Sequence, residues 1–250
     1  MPRRPRVEKE GFHHIVNRGV ARGNIFLEDE DYEKFLEIVE IAKERYDFRV
    51  HSFCLMSNHY HLLIETQHRN LSLLIRQINA PYAQYFNRKY SRVGPLWQGR
   101  FKNWFVYDEQ YLSVLFRYIE QNPIKAKITK AIGEYSWASS SLILEDKYRE
   151  LFQDSLLFKE DVWATLNKSV SQSEYQFIDT FQKIIYQQQE QDIVRLKQKS
   201  LDEHLGKYQT LKERNKQILE AIQDGYKQSE IARYLGLTSA GVSYIVRHTI

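Results

Sequence analysis

Only one cysteine, Cys54, occurs in the 250 residues. It cannot form an intramolecular disulfide, and its place in an apolar, strand-like run reads as a small buried hydrophobe. No apolar run approaches the length of a membrane-spanning helix. The basic start, Met1-Pro2-Arg3-Arg4-Pro5-Arg6, leads into Glu8-Lys9-Glu10 rather than into an apolar stretch, so it does not read as a signal peptide. No internal repeat is visible. Net charge is small: 36 Lys and Arg against 32 Asp and Glu leave +4, a total that by itself points to no polyanionic partner. These absences suggest an ordinary soluble, cytoplasmic chain, and 42% hydrophobic residues are enough for a real core.

One further absence is local. From Thr66 to Tyr107 there is no Asp or Glu, while the segment holds Arg69, Arg76, Arg88, Lys89, Arg92, Arg100 and Lys102. Such a one-sign block suggests a phosphate-facing surface. Tyr82, Tyr85, Phe86, Tyr90, Trp97 and Phe101 are interleaved with these cations. Unpaired bases stack on aromatic faces while cations follow the backbone, so the mixture suits single-stranded or hairpin DNA. It does not distinguish deoxyribose from ribose. Tyr82, Tyr85 and Phe86 also have helical spacing and read equally as core. The Arg3-Arg4-Arg6 tail is as compatible with a solvated terminus as with a phosphate-binding arm.

Periodicity orders the first half of the chain. Phe12–Asn17 reads as a strand and Asp29–Arg45 as a helix, with Tyr32, Phe35, Leu36, Val39 and Ala42 on its apolar side. Phe48–Met56 and His59–Thr66 read as strands joined by a Ser57-Asn58 turn. A helix over Leu71–Tyr90 is expected to kink or break at Pro81. Phe101–Val106 reads as a strand, and Asp108 is a good N-cap for the following helix. Strand-helix-strand-strand-helix-strand predicts an α+β fold with a ferredoxin-like antiparallel sheet and helices on one face. Three regions are expected: 1–135, a helical connecting region 136–207, and 208–250. In the last, Lys212–Gln223, Gln228–Leu235 and Ser239–Arg247 read as three helices. Ala232 is small where helices cross, Gly236 permits a left-handed turn, and Val242 and Ile245 face inward, the pattern of a helix-turn-helix. Ser239, Ala240, Ser243, Tyr244 and Arg247 then face outward as candidate readers of duplex DNA.

Candidate chemistry begins at His59-Tyr60-His61. On a strand the two imidazoles share one face and Tyr60 points to the other, into the core. Two neutral imidazoles can bind a cation. They are equally two polar side chains on a solvated face unless something completes the site. In the helix after Asp108, Tyr118 and Asn122 lie one turn apart at the margin of the apolar stripe. A tyrosine there is available as a nucleophile, and the Asn122 amide oxygen as a third ligand. Tyr107 and Tyr111 occupy nearly the same side and compete with Tyr118. Asn122 before Pro123 also reads as an ordinary helix end.

Taken together, His59-Tyr60-His61, Tyr118-Ile119-Glu120-Gln121-Asn122-Pro123, Val16-Asn17-Arg18-Gly19 and Leu96-Trp97-Gln98-Gly99-Arg100-Phe101 resemble the REP-associated tyrosine transposases. These are a branch of the HUH single-strand transposases, which are IS200-like. The resemblance covers roughly residues 11–135. It implies His59, His61 and Asn122 as ligands of Mg²⁺ or Mn²⁺, Tyr118 as nucleophile, and a ferredoxin-like fold. It further implies cleavage and rejoining of single-stranded or hairpin DNA next to a hairpin, through a 5′-phosphotyrosine and a free 3′-hydroxyl. Imidazole ligands lean toward Mn²⁺. Candidate DNA contacts are Arg18, Arg88, Lys89, Arg92, Trp97, Arg100 and Lys102, with Ser239, Ser243, Tyr244 and Arg247 in the C-terminal region. A cytoplasmic, nucleoid-associated monomer or homodimer is expected, with no membrane partner. The alternative is a DNA-binding regulator that keeps the nuclease-like domain idle and is addressed by its helix-turn-helix.

Overall fold

Alternating apolar residues make the strands, and apolar residues at three- and four-residue spacing make the helices between them. The computed structural model describes residues 8–107, 109–158, 160–178, 180, 182, 200–223 and 226–248, without the side chains of residues 110, 161, 162, 223, 247 and 248. The N-cap expected at Asp108, the Arg3-Arg4-Arg6 arm and the Arg247 side chain lie outside the described residues. Two compact units are distinguished, Lys9–Lys183 and the chain from Ile184 onward together with Met1–Glu8.

In the first unit β1 (Gly11–Arg18), α1 (Asp29–Tyr46), β2 (Phe48–Met56), β3 (His59–Thr66), α2 (Leu71–Lys89) and β4 (Lys102–Phe105) follow in order. The sheet order is β2-β3-β1-β4, with every neighbouring pair antiparallel. This is the ferredoxin-like arrangement that the element order predicts. Ile15, Phe53, Leu55, Tyr60, Leu62 and Ile64 are fully buried on one face, in one core with Phe35, Leu36 and Val39 of α1 and Leu74, Ile75, Ile78 and Tyr82 of α2. Each large apolar side chain so placed contributes about 2 kcal/mol by leaving water. Tyr60 points into this core as expected, its hydroxyl donating to Asn79 Oδ1 at 2.9 Å. Helix α2 runs unbroken through Pro81. In that stretch the Asn79 carbonyl accepts from the Trp97 indole at 2.9 Å, which ties the helix to the loop before β4.

The other face of the sheet carries the polar rows. The register aligns Met56, His59 and Arg18 in one row, Cys54, His61, Val16 and Lys102 in the next, and Ser52, Leu63, His14 and Trp104 in a third. Helix α3 (Glu109–Glu120) lies against this face, so helices cover both sides of the sheet. Its anchor is Glu120, 2% exposed. The carboxylate accepts from Ser52 Oγ at 2.6 Å, from Ser139 Oγ, and from the Ser140 N–H at 3.1 Å. Short helices α4 (Asn122–Lys125), α5 (Ser139–Leu144), α6 (Arg149–Phe152) and α7 (Glu160–Leu166) follow, then α8 over residues 172–178. Leu142, Leu151 and Phe152 join the main core, so residues 136–183 pack in the same unit as the sheet.

The second unit contains α9 (Leu201–Leu205), α10 (Leu211–Gln223), α11 (Gln228–Leu235) and α12 (Ser239–His248). Leu205, Ile218, Ala221, Ile231, Ala232 and Val242 form its core. Gly236 stands at φ 65°, the left-handed C-cap of α11, where a side chain is strained. Thr238 Oγ1 accepts from the Gly241 N–H at 3.0 Å and starts α12. No described helix is long and apolar enough to cross a membrane.

Candidate active site

Strand register builds the site. His59 and His61 share the α3 face, ring centroids 5.2 Å apart. Helix α3 brings Tyr118 over them: its ring meets His61 edge-on at 5.7 Å and His14 at 6.0 Å. Tyr118, more than fifty residues from His59 and His61 in the chain, is thus brought to them. The competing tyrosines point elsewhere. Tyr111 is fully buried beside Phe177, and burial pushes its hydroxyl pKa up. Tyr107 is exposed and packs on Phe105 at 4.7 Å. The Asn122 side-chain amide donates to the Tyr118 carbonyl at 2.7 Å. It therefore fastens the end of the tyrosine helix, and its oxygen is not used in that bond. Among the described residues no hydrogen bond joins Asn122 to either histidine.

Burial governs the charge of the site. It lowers the His14 pKa to about 3. Burial, with the Arg18 charge, lowers His59 to about 4. His61 is held well below the usual range by burial and then by His14, His59, Arg18 and Lys125. All three imidazoles are neutral at physiological pH, the form that keeps a ring lone pair for a cation. Hydrogen bonding at Nδ1 completes the fit. His59 Nδ1 lies 2.6 Å from Asn58 Oδ1, and His61 Nδ1 lies 2.9 Å from His14 Nε2. Among the described residues the Nε2 atoms of His59 and His61 make no hydrogen bond, leaving one nitrogen of each ring for a ligand. Two neutral, oriented imidazoles fit a divalent ion. Lys125 adds a cation, its Nζ 5.8 Å from the Tyr118 ring centre and 3.8 Å from that of Tyr175.

The candidate DNA contacts fall into three groups. Arg18 borders the site, in register with His59. Arg88, Arg100 and Lys102 are exposed, and Arg92 lies over the Phe86 ring at 5.5 Å. Lys89 and Trp97 are held by the fold. The Lys89 ammonium meets Glu28 at 3.2 Å and both Glu30 and Asp31 at 3.1 Å, while Trp97 packs edge-on to Tyr60 at 5.7 Å. On α12, Ser239 and Tyr244 are exposed and Ser243 is half-buried. Sequence reasoning passed over His14, Asn58, Lys125 and Tyr175. His13-His14 on a strand beside the His59–His61 strand was the available signal, but it acts only through the β1–β3 register.

Fold and site together define an α+β domain in which a helix-borne tyrosine faces paired histidines on a ferredoxin-like sheet. Residues 10–122, a little under half of the chain, match the family described as "Transposase IS200 like". No curated protein matches the chain significantly. Among solved structures, a REP-associated tyrosine transposase bound to a REP hairpin is similar at 18% identity. That match covers 61% of this chain and 87% of the other, with a TM-score of 0.46. A protein of Deinococcus radiodurans R1 assigned as a transposase is similar at 15% identity, over 45% of this chain and 91% of the other, with a TM-score of 0.34.

Proposed function

We propose that this chain is a transposase that cleaves and rejoins single-stranded or hairpin DNA through a covalent 5′-phosphotyrosine on Tyr118. The observation that carries the reading is the Tyr118 ring set edge-on against His61 at 5.7 Å, beside histidines that burial keeps neutral. Tyr118 gives up its phenol proton as its Oη attacks the phosphorus of a phosphodiester, and the bond to the 3′-oxygen breaks, so that one proton is released at tyrosine and one is taken up at the leaving oxygen. The 5′-phosphate remains on tyrosine and the 3′-oxygen leaves as a hydroxyl after taking a proton. Rejoining is the reverse, with a 3′-hydroxyl displacing the tyrosine. His59, His61 and the Asn122 amide oxygen would hold Mg²⁺ or Mn²⁺, which would supply polarisation of the phosphate.

The chain's own cations support the phosphate. Arg18 and Lys125 flank the histidines closely enough to depress the His61 pKa, and they offset the charge that a phosphodiester brings. Arg88, Arg92, Arg100 and Lys102 are the better candidates for the DNA backbone. Lys89 and Trp97 serve the fold. In the second unit α11 and α12 act as a helix-turn-helix, with Ser239, Ser243 and Tyr244 toward duplex DNA. Chemistry then falls to 1–135 and DNA addressing to 208–250.

The test is incubation of the full chain with matched, labelled DNA and RNA hairpins in Mn²⁺, in Mg²⁺ and in chelator. The expected result is a denaturant-resistant adduct on DNA only, lost in chelator and in His59→Ala and His61→Ala. An RNA adduct replaces the proposed substrate. Metal-independent duplex binding with no adduct under any condition means that the domain acts as a regulator.

A further inference from the structure

His14 is the buried polar side chain at the site that the proposed reaction leaves unused. It is fully buried in β1, and its ring stacks on His61 with centroids 5.2 Å apart. Trp104 flanks it at 5.3 Å and Tyr118 closes the third side. Its Nε2 is 2.9 Å from His61 Nδ1. Two neutral imidazoles can share that bond in only two ways. If His14 Nε2–H donates, the His61 proton sits on Nε2 and that nitrogen cannot bind a cation. If His61 Nδ1–H donates to His14 Nε2, the lone pair of His61 Nε2 is left for a ligand.

We propose that His14 is a positioning residue that accepts the Nδ1 proton of His61 and so holds that ring in its cation-binding tautomer. The proposal rests on the reading of His59 and His61 as a divalent-cation site. In this direction His14 carries its own proton on Nδ1. There it faces the Gln182 side-chain amide, whose nitrogen stands 3.4 Å away; the proposed direction requires that amide turned by a half-turn, so that its oxygen accepts from Nδ1–H. The line Gln182, His14, His61 thus runs to the cation site. Phenylalanine fills the same space without an acceptor. Glutamine places an amide oxygen near the position of the imidazole Nε2.

Mn²⁺ titration of the full chain, with free Mn²⁺ read by electron paramagnetic resonance, tests this without reference to activity. His61→Ala and His14→Phe are each expected to bind about 10- to 100-fold more weakly than wild type, and His14→Gln to recover most of that loss. Wild-type-like affinity in His14→Phe overturns the proposal while leaving the cation site standing. Equal weakness of His14→Gln and His14→Phe also overturns it, since packing alone then explains the effect. If His61→Ala binds as wild type does, the cation reading fails and the proposal falls with it. A second measurement needs no variant: in the Mg²⁺-saturated wild type, nitrogen-15 spectra should show the His14 proton on Nδ1, and a proton on Nε2 overturns the assignment.

Discussion

Replacing Glu120 by alanine should separate the tyrosine helix from the sheet. The buried carboxylate gathers Ser52 Oγ, Ser139 Oγ and the Ser140 N–H; without it Ser139 Oγ still reaches the Phe53 carbonyl at 3.1 Å, but Ser52 Oγ and the Ser140 N–H lose their carboxylate acceptor. Each orphaned buried donor costs about 1 kcal/mol or more, so Glu120→Ala should lose about 2–4 kcal/mol. Glu120→Gln keeps an oxygen for the two serines but turns an amide N–H toward the Ser140 N–H. It should cost about 1 kcal/mol, the scale of one lost bond. Urea unfolding followed by tryptophan fluorescence is the assay, because all four tryptophans lie within Lys9–Lys183 and report on that unit alone. With an m value of about 2 kcal/mol/M, the Glu120→Ala midpoint should fall by about 1–2 M. A midpoint indistinguishable from wild type would refute the view that Glu120 pins α3, and with it the present account of how Tyr118 is held over the histidines.

Gly19→Ala should destabilise the same unit by about 1–3 kcal/mol, since the added Cβ would stand 2.1 Å from the Gly23 carbonyl oxygen; an unchanged urea midpoint would contradict it. Glu174 is held near pKa 2 by Arg117 and then by the Ser171 N–H. Its stabilisation is therefore present above the usual carboxylate value of about 4.3 and is lost as pH falls toward 2. Wild type should exceed Glu174→Gln by about 1 kcal/mol at pH 6, the partly exposed pair being discounted for solvent, and the gap should close on acidification in paired urea melts. Gly236→Val forces a β-branched residue to φ 65° and should cost about 1–2 kcal/mol. The loss should appear in far-ultraviolet circular dichroism and leave the tryptophan transition in place.

Much of the fold was legible because local pattern and tertiary need agree. Strands β2 and β3 follow from alternation around Ser57-Asn58, and their bounds are those the sequence suggests. Of the kink or break expected at Pro81, the break does not occur, since α2 continues to Lys89, and the Trp97 indole bonds the Asn79 carbonyl in that stretch. The pairing of His59 with His61 was legible, since it needs only the two-residue period of a strand. His14 was not, because its approach to His61 depends on which residue of β1 faces which residue of β3, and no local pattern fixes that register. Lys89 shows the same limit from the other side. The acid-free segment displays its charge, yet Glu28, Glu30 and Asp31 come from a distant turn that folds onto it. Helix α3 was recognised, but its contact with the second sheet face depends on Glu120 meeting Ser52, Ser139 and Ser140, which are separated widely in the chain.

The central claim is that Tyr118 becomes covalently joined to DNA. The most direct measurement is mass spectrometry of peptides from wild type and Tyr118→Phe after reaction with a hairpin oligonucleotide in Mn²⁺. The account predicts a nucleotide 5′-phosphate on Tyr118 in wild type and no adduct in the variant, with unmodified Tyr107 and Tyr111 in both. An adduct on another tyrosine, or one that persists in Tyr118→Phe, would contradict it.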